Sequence, residues 1–349
     1  MSDVSIRIEN VTGHITLTRP KALNALSRAM SEEIDAAIIA WADDPSVEMV
    51  LIDAEGERAF CAGGDIREIY EAGKQGDFSV GRDFWRQEYL MNSRIAHYPK
   101  PWVAIMHGYV MGGGVGLSGH GSHRVVTDSS RISMPECNIG LIPDVGGTHL
   151  LARARGRLGE FLGLTGFRMG ASQAIFSGFA DHYVPEDRLD ALKAKLIETA
   201  DPEVITEFQA TPPEPDFGMP LDAIDDAFSA PDIATLIARL EVSDVGHTTV
   251  KTIRAQSPLS MACTLELVRR ARREPGLNAA LIRELRCTWH CISEGDLLEG
   301  IRAAVVDRDR KPVWLDKPTG VHRDRVTAML EPLGADDLDL PVDPAPQPA

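Results

Sequence analysis

MGGGVGLSGH (residues 111–120), followed after a short mixed run by MPECNIGLIPDVGG (residues 134–147), is the stretch on which the reading of this chain turns. Gly112, Gly113 and Gly114 strip side chains from one face of the backbone, and Val115 and Leu117 then resume an apolar pattern able to open a short helix. A bare helix N-terminus presents unpaired N–H groups and the positive end of the dipole. An oxygen carrying negative charge can be held there by backbone alone. Glu136 and Asp144 follow, and they stand in a turn-rich segment with Gly140, Pro143, Gly146 and Gly147 that reads as a loop wrapped around a site. Oxyanion donors beside a carboxylate are the parts that acyl chemistry needs.

Working outward, strand and helix patterns alternate. Ile15 and Leu17 alternate with polar neighbours like a strand that stops at Pro20. Ser27 then precedes Met30, Ile34, Ala37, Ile38 and Trp41, a spacing that lays one apolar stripe along a helix and implies core rather than chemistry. Met49 to Ile52 reads as a buried strand and FCAGGD (60–65) as a small-residue loop, with Asp65 and Glu68 forming a capping-box-like helix start. Pro99 and Pro101 close a helical region, Trp102 to Met106 is a strand feeding the glycine run, and Arg124 to Thr127 is another. This alternation argues for an α/β class.

Past Asp187 the character changes. Leu189 to Thr199, Ile233 to Leu240, Leu265 to Ala271 and Leu277 to Cys291 read as helices, interrupted by a proline-rich connection at 211–219. The expected organisation is an α/β core over 1–187, a mostly helical region over 188–330, and a disordered tail over 331–349, where prolines sit among acidic residues.

Composition limits the function. The 349 residues carry 36 Lys and Arg against 52 Asp and Glu, a formal charge of −16 that repels nucleic acid. It also repels anionic metabolites at long range, so a phosphate-bearing ligand requires a local basic patch. There is no apolar run long enough for a transmembrane helix, so no membrane partner is expected. The N-terminus shows neither a signal core nor an arginine-rich leader, and the five scattered cysteines lack a CxxC pair, which together predict reduced thiols and a cytoplasmic location. Cys287 and Cys291 share a helix face, but without a second ligand pair no metal is expected.

Two familiar motifs fail, the first on spacing and the second on the identity of one residue. Gly114, Gly116 and Gly119 match the dinucleotide pattern GxGxxG, yet Asp128 follows too soon to leave room for a full helix before an acid-bearing strand. Gly116, Leu117 and Ser118 begin a serine elbow that His120 does not complete.

TRPKALNAL (18–26), FCAGGDI (60–66), HGYVMGGGVGL (107–117) and MPECNIGLIPDVGG (134–147), in that order, resemble the crotonase, or enoyl-CoA hydratase/isomerase, superfamily, and within it the 3-hydroxyisobutyryl-CoA hydrolases. Patches of similarity run from about Ile15 to Trp314, including SPLS at 257–260 and EGIRAAVVDRD at 299–309. The resemblance implies a spiral of ββα units followed by a helical C-terminal region that mediates trimer or hexamer contacts. It implies that the N–H groups of Gly64 and Gly113 hold the thioester oxygen, and that Lys21, Ala22, Leu23, Ala62 and Ile66 hold the CoA nucleotide. Arg19 and Lys21 then become candidates for the basic patch. Glu136 matches the family's catalytic acid, Asp144 a second acidic residue of the hydrolases, and Glu88 a further substrate contact. The partner is an acyl-CoA, and since CoA is part of the substrate no separate cofactor is expected.

One departure bears on the chemistry. Hydration of an enoyl-CoA uses two glutamates, and the first would fall at Gly116, which can neither take nor give a proton. The remaining carboxylate suits thioester hydrolysis or enoyl isomerisation, and Asp144 favours hydrolysis of a short hydroxyacyl-CoA such as 3-hydroxyisobutyryl-CoA, a step of valine breakdown. Glu136 either attacks the carbonyl or activates water. An isomerase, a hydratase or an acyl-CoA-binding protein without turnover remain the alternatives.

Overall fold

The computed structural model describes residues 2–318 and 320–343 and divides into two compact units, each assembled from separate stretches of chain. The first comprises Met1–Asp65, Leu90–Ser133 and Arg168–Asp216, and the second Ile66–Tyr89, Met134–Phe167 and Phe217–Ala349.

The first unit carries the strands. These are β1 (Val4–Glu9), β2 (Thr12–Leu17), β3 (Met49–Ala54), β4 (Ala59–Cys61), β5 (Trp102–Met106), β6 (Tyr109–Met111), β7 (His123–Val126), β8 (Arg131–Ser133) and β9 (His182–Tyr183). One sheet runs β1-β2-β3-β5-β7-β9 and a smaller one β4-β6-β8. All pairings are parallel except the β1–β2 hairpin. The chain therefore places one strand in each sheet three times over, as β3 and β4, β5 and β6, β7 and β8, which is the ββα spiral expected from the sequence. β5 is buried along its whole length and β3 along all but its last residue, which is why Trp102–Met106 and the first four residues of β3 read as continuous apolar runs rather than alternating ones. The Arg28–Ala42 helix begins where expected, with the Ser27 hydroxyl accepting from Met30 N at 3.2 Å, and buries Met30, Ile34, Ile38 and Trp41.

The expected division at residue 187 is not the observed one. The Leu189–Thr199 helix was grouped with the helical region, yet Leu192 and Leu196 are fully buried against Met49, Leu51, Val103, Ile105 and Val125 of β3, β5 and β7. Its apolar stripe therefore belongs to the sheet. Conversely, the Gly147–Arg153 and Leu158–Thr165 helices pack on the Pro258–Arg273 helix in the second unit. Asp65 is not a helix cap either. The next helix, Arg67–Gly73, has Ile66 at its N-cap with no side-chain cap, while Asp65 pairs with Arg19 at 3.1 Å.

The tail expected to be disordered is ordered over 331–343. Arg286 makes a two-pronged contact with Asp337 (2.8 Å each), and Arg86 donates to the carbonyls of Asp336 (2.5 Å) and Asp337 (3.2 Å). Asp343 accepts from the N–H groups of Asn278 (3.0 Å) and Ala279 (3.1 Å), capping the Leu277–Cys291 helix that Gly276 cannot cap. Residues 344–349 lie outside the described residues. Among the described residues no helix is long and apolar enough to cross a membrane.

Candidate active site

Within the first unit, two loops leave the C-terminal ends of neighbouring parallel strands, β4 and β6, and so lie side by side. The β4 loop is Ala62-Gly63-Gly64. Leu26 donates to the Gly63 carbonyl and accepts from the Asp65 N–H, both at 2.9 Å, so the Gly64 N–H faces away from Leu26. The β6 loop is Gly112, with φ +46°, followed by the Gly113–Ser118 helix. Gly113 is its first residue, where the N–H has no intrahelical acceptor. Gly114 lets this helix approach β4, since a Cβ there would sit 2.3 Å from the Cys61 carbonyl oxygen.

Four of the five expected CoA-binding residues lie in the same unit. Lys21 and Ala22 are exposed on the Pro20–Ala22 turn, Leu23 follows at φ +53°, and the Ala62 N–H donates to the Leu23 carbonyl at 3.0 Å. Buried Asn24 locks the turn, its amide donating to the carbonyls of Ala59 (2.8 Å) and Glu55 (3.0 Å). Arg19 is engaged by Asp65, Asp3 and the Ala25 carbonyl, which takes it out of the expected basic patch and leaves Lys21 as the exposed cation of the pair. Ile66 lies in the second unit, apart from this group in the division of the chain.

The second unit concentrates carboxyl groups. Glu88 and Tyr89 are buried on the Ser79–Ala96 helix, one turn beyond buried Phe84 and Trp85. Glu136 opens the short Glu136–Ile139 turn, and Asp144 precedes the Gly147–Arg153 helix. All three acids are buried, and the Tyr89 hydroxyl donates to Asp144 Oδ2 at 2.7 Å. Among the described residues, Glu88 Oε1 and Glu136 Oε2 are buried without a hydrogen-bond partner. Such acceptors are costly to leave unmet unless a ligand or water meets them.

Burial, then the Asp144 charge, pushes the Glu136 and Glu88 carboxyls well above their usual range. Burial lifts Asp144 to about 6, opposed by the Tyr89 hydrogen bond. A carboxylate with raised basicity that titrates near neutrality is suited to nucleophilic or general-base work.

The structure places Glu88 and Asp144 close enough for their charges to act on Glu136, and it adds two residues that the sequence does not single out, Glu284 and Tyr89. Glu284 is fully buried on the Leu277–Cys291 helix, and its carboxylate accepts from the N–H groups of Gly146 (2.7 Å) and Thr148 (2.9 Å) and from the Thr148 hydroxyl. The signal was present: Leu277, Leu281, Glu284 and Thr288 fall on one helical stripe, so a charge occupies a position that the pattern assigns to core.

A family model described as "Enoyl-CoA hydratase/isomerase" matches residues 12–330. The chain is 36% identical to the mitochondrial 3-hydroxyisobutyryl-CoA hydrolase of Gallus gallus, covering 97% of this chain and 91% of that protein. It is 37% identical to the mitochondrial enzyme of the same name from Danio rerio, covering 97% and 92%. Among solved structures, an enoyl-CoA hydratase from Rhodobacter sphaeroides 2.4.1 is 50% identical with a TM-score of 0.92, over 97% of this chain and all of that one. A carnitinyl-CoA dehydratase from Mycobacterium thermoresistibile is 39% identical with a TM-score of 0.91, over 95% and 97%.

Proposed function

This chain belongs to the enoyl-CoA hydratase/isomerase family and has its crotonase fold, and from that premise we propose that it is an acyl-CoA thioester hydrolase acting on 3-hydroxyisobutyryl-CoA in valine breakdown. The observation that carries the reading is the pairing of a glycine at position 116, inside the Gly113–Ser118 helix, with two buried carboxyl groups, Glu136 and Asp144. Hydration needs a second glutamate where Gly116 stands, whereas hydrolysis needs one basic carboxylate and an oxyanion site. The names of the curated relatives support the same choice.

In the proposed reaction the Gly64 and Gly113 N–H groups hold the thioester oxygen, and Lys21, Ala22, Leu23, Ala62 and Ile66 bind the nucleotide end of CoA, as the family resemblance implies. Glu136 is the reacting carboxyl group. Its carboxylate either adds to the thioester carbon and expels the CoA thiolate, giving an anhydride that water opens, or takes a proton from the water that adds. Asp144, held by Tyr89, orients Glu136, the water or the substrate hydroxyl, and Glu88 contacts the substrate. No resident metal or cofactor takes part. We further propose a trimer or hexamer and a reducing compartment. The five buried, unbridged cysteines support the latter, and both the cytoplasm and the mitochondrion named for the relatives would satisfy it.

Release of free thiol from a panel of acyl-CoA esters tests the activity. Thiol is expected from 3-hydroxyisobutyryl-CoA, with neither loss of conjugated absorbance from crotonyl-CoA nor gain of it from a 3-enoyl-CoA. Conjugation appearing from the 3-enoyl ester without thiol release would replace the hydrolase by the isomerase.

A further inference from the structure

The turn that carries Asp144 is held in a backbone conformation its own residues disfavour. Val145 has φ +52° and Gly146 φ +79°. Glycine adopts the left-handed region freely, but a β-branched valine there is an outlier that persists only when its surroundings impose it. The imposing group is visible. Glu284 projects from the Leu277–Cys291 helix, and its two carboxylate oxygens divide three donors between them. Oε2 takes the Gly146 N–H, while Oε1 takes both the N–H and the hydroxyl of Thr148. These donors flank the strained valine on its C-terminal side, and Gly146 and Gly147 begin the helix that follows Asp144. On the other side, Asp144 itself is tied to Tyr89.

Building on the hydrolase reading, we infer that Glu284 is a positioning residue: its carboxylate clamps the Val145–Thr148 turn and so aims Asp144 at the reacting groups. Both oxygens are used, one by the Gly146 N–H and the other by the two Thr148 donors. The buried negative charge is matched by those three donors. An amide at this position offers one acceptor oxygen and sets an NH2 group against a backbone N–H. The turn then has no reason to keep Val145 in the left-handed region, and Asp144 moves with it. Glu284 does not touch substrate in this scheme, so its loss acts on turnover through Asp144 and leaves nucleotide binding alone.

The experiment is a double-mutant cycle read by steady-state thiol release. Glu284→Gln is expected to lower kcat by about 10- to 100-fold, the scale of a catalytic group displaced by up to about 1 Å, with KM changed by less than about threefold. In an Asp144→Asn background the same change should cost less than about threefold, because the residue being aimed is already disabled. Equal losses in both backgrounds would overturn the clamp. Thr148→Val, which removes one hydroxyl donor at nearly constant volume, covers the case in which Glu284→Gln fails to fold. It should lower kcat severalfold with KM kept and should also be silent beside Asp144→Asn, and wild-type kcat in Thr148→Val would count against the inference. If the wild type releases no thiol from any hydroxyacyl-CoA, it is the hydrolase reading that fails.

Discussion

Gly114→Ala isolates the proposed oxyanion site from the acidic residues. The added Cβ would fall 2.3 Å from the Cys61 carbonyl oxygen, 3.0 Å from Cys61 Cβ and 3.1 Å from the Cys61 carbonyl carbon. Two of these three atoms are backbone, so no side-chain rotation relieves the contact. Restoring van der Waals separation requires the Gly113–Ser118 helix and the end of β4 to part by roughly 1 Å. Helix propensity pulls the other way, since alanine in place of glycine favours a helix by about 0.5–1 kcal/mol. Overpacking against backbone costs about 1–3 kcal/mol, and so outweighs it. The displaced residues are those that matter, because Gly113 adjoins position 114 and Gly64 lies on the loop that leaves Cys61. A misplacement of that size costs about 100-fold in rate, comparable to the removal of one oxyanion donor. The expected result is a folded protein, melting within a few degrees of wild type, whose kcat for thiol release falls about 100-fold. A kcat within about threefold of wild type would remove the Gly64 and Gly113 N–H groups from the reaction.

Three further outcomes concern the acids. Glu136→Gln should lower kcat at least about 100-fold, and in the wild type kcat should fall as pH drops through a limb above the ordinary carboxylate range, since burial and the Asp144 charge raise the Glu136 pKa and only its ionised form can act; full activity at pH 4.5 would contradict this. Burial raises the Asp144 pKa from 3.8 to about 6, so the stability tied to its neutral form is fully present below 3.8 and lost as pH rises through about 6, a swing of about 3 kcal/mol. The Tm of Asp144→Asn minus that of wild type should therefore be larger at pH 8 than at pH 4.5, and a pH-independent difference would refute it.

The sheet and most helices were legible because their signals are local. β5 and the first four residues of β3 announce themselves as unbroken apolar runs, and the helix after Ser27 by its cap and stripe. What failed was allocation over long range. Nothing within Leu189–Thr199 says which surface its stripe will cover, and β3, β5 and β7, on which it lies, are sixty or more residues away in sequence. The tail was misread for a similar reason. Proline and acidic residues predict disorder when they have no partners, but Asp337 and Asp343 find theirs in Arg286 and in the bare N–H groups after Gly276. Composition cannot register a partner fifty residues upstream.

The candidate site shows the same asymmetry with a sharper cause. Glu136 and Asp144 were found through motif resemblance, and the glycine loops through their lack of side chains. Glu284 has neither advantage. It sits mid-helix in an arginine-rich stretch, where a glutamate is ordinarily a solvated residue paired along the helix surface. Its neighbour Arg283 reaches Glu274, just outside the helix, at 2.8 Å, while Glu284 turns inward to backbone donors of a turn more than a hundred residues earlier. Only the three-dimensional partners distinguish the two. The inward turn also has an electrostatic consequence, because burial raises Glu284 itself to about 7 and its charge in turn raises Glu136. That contribution is smaller than those of burial and of the Asp144 charge, so the clamp acts on turnover chiefly through the turn it fixes.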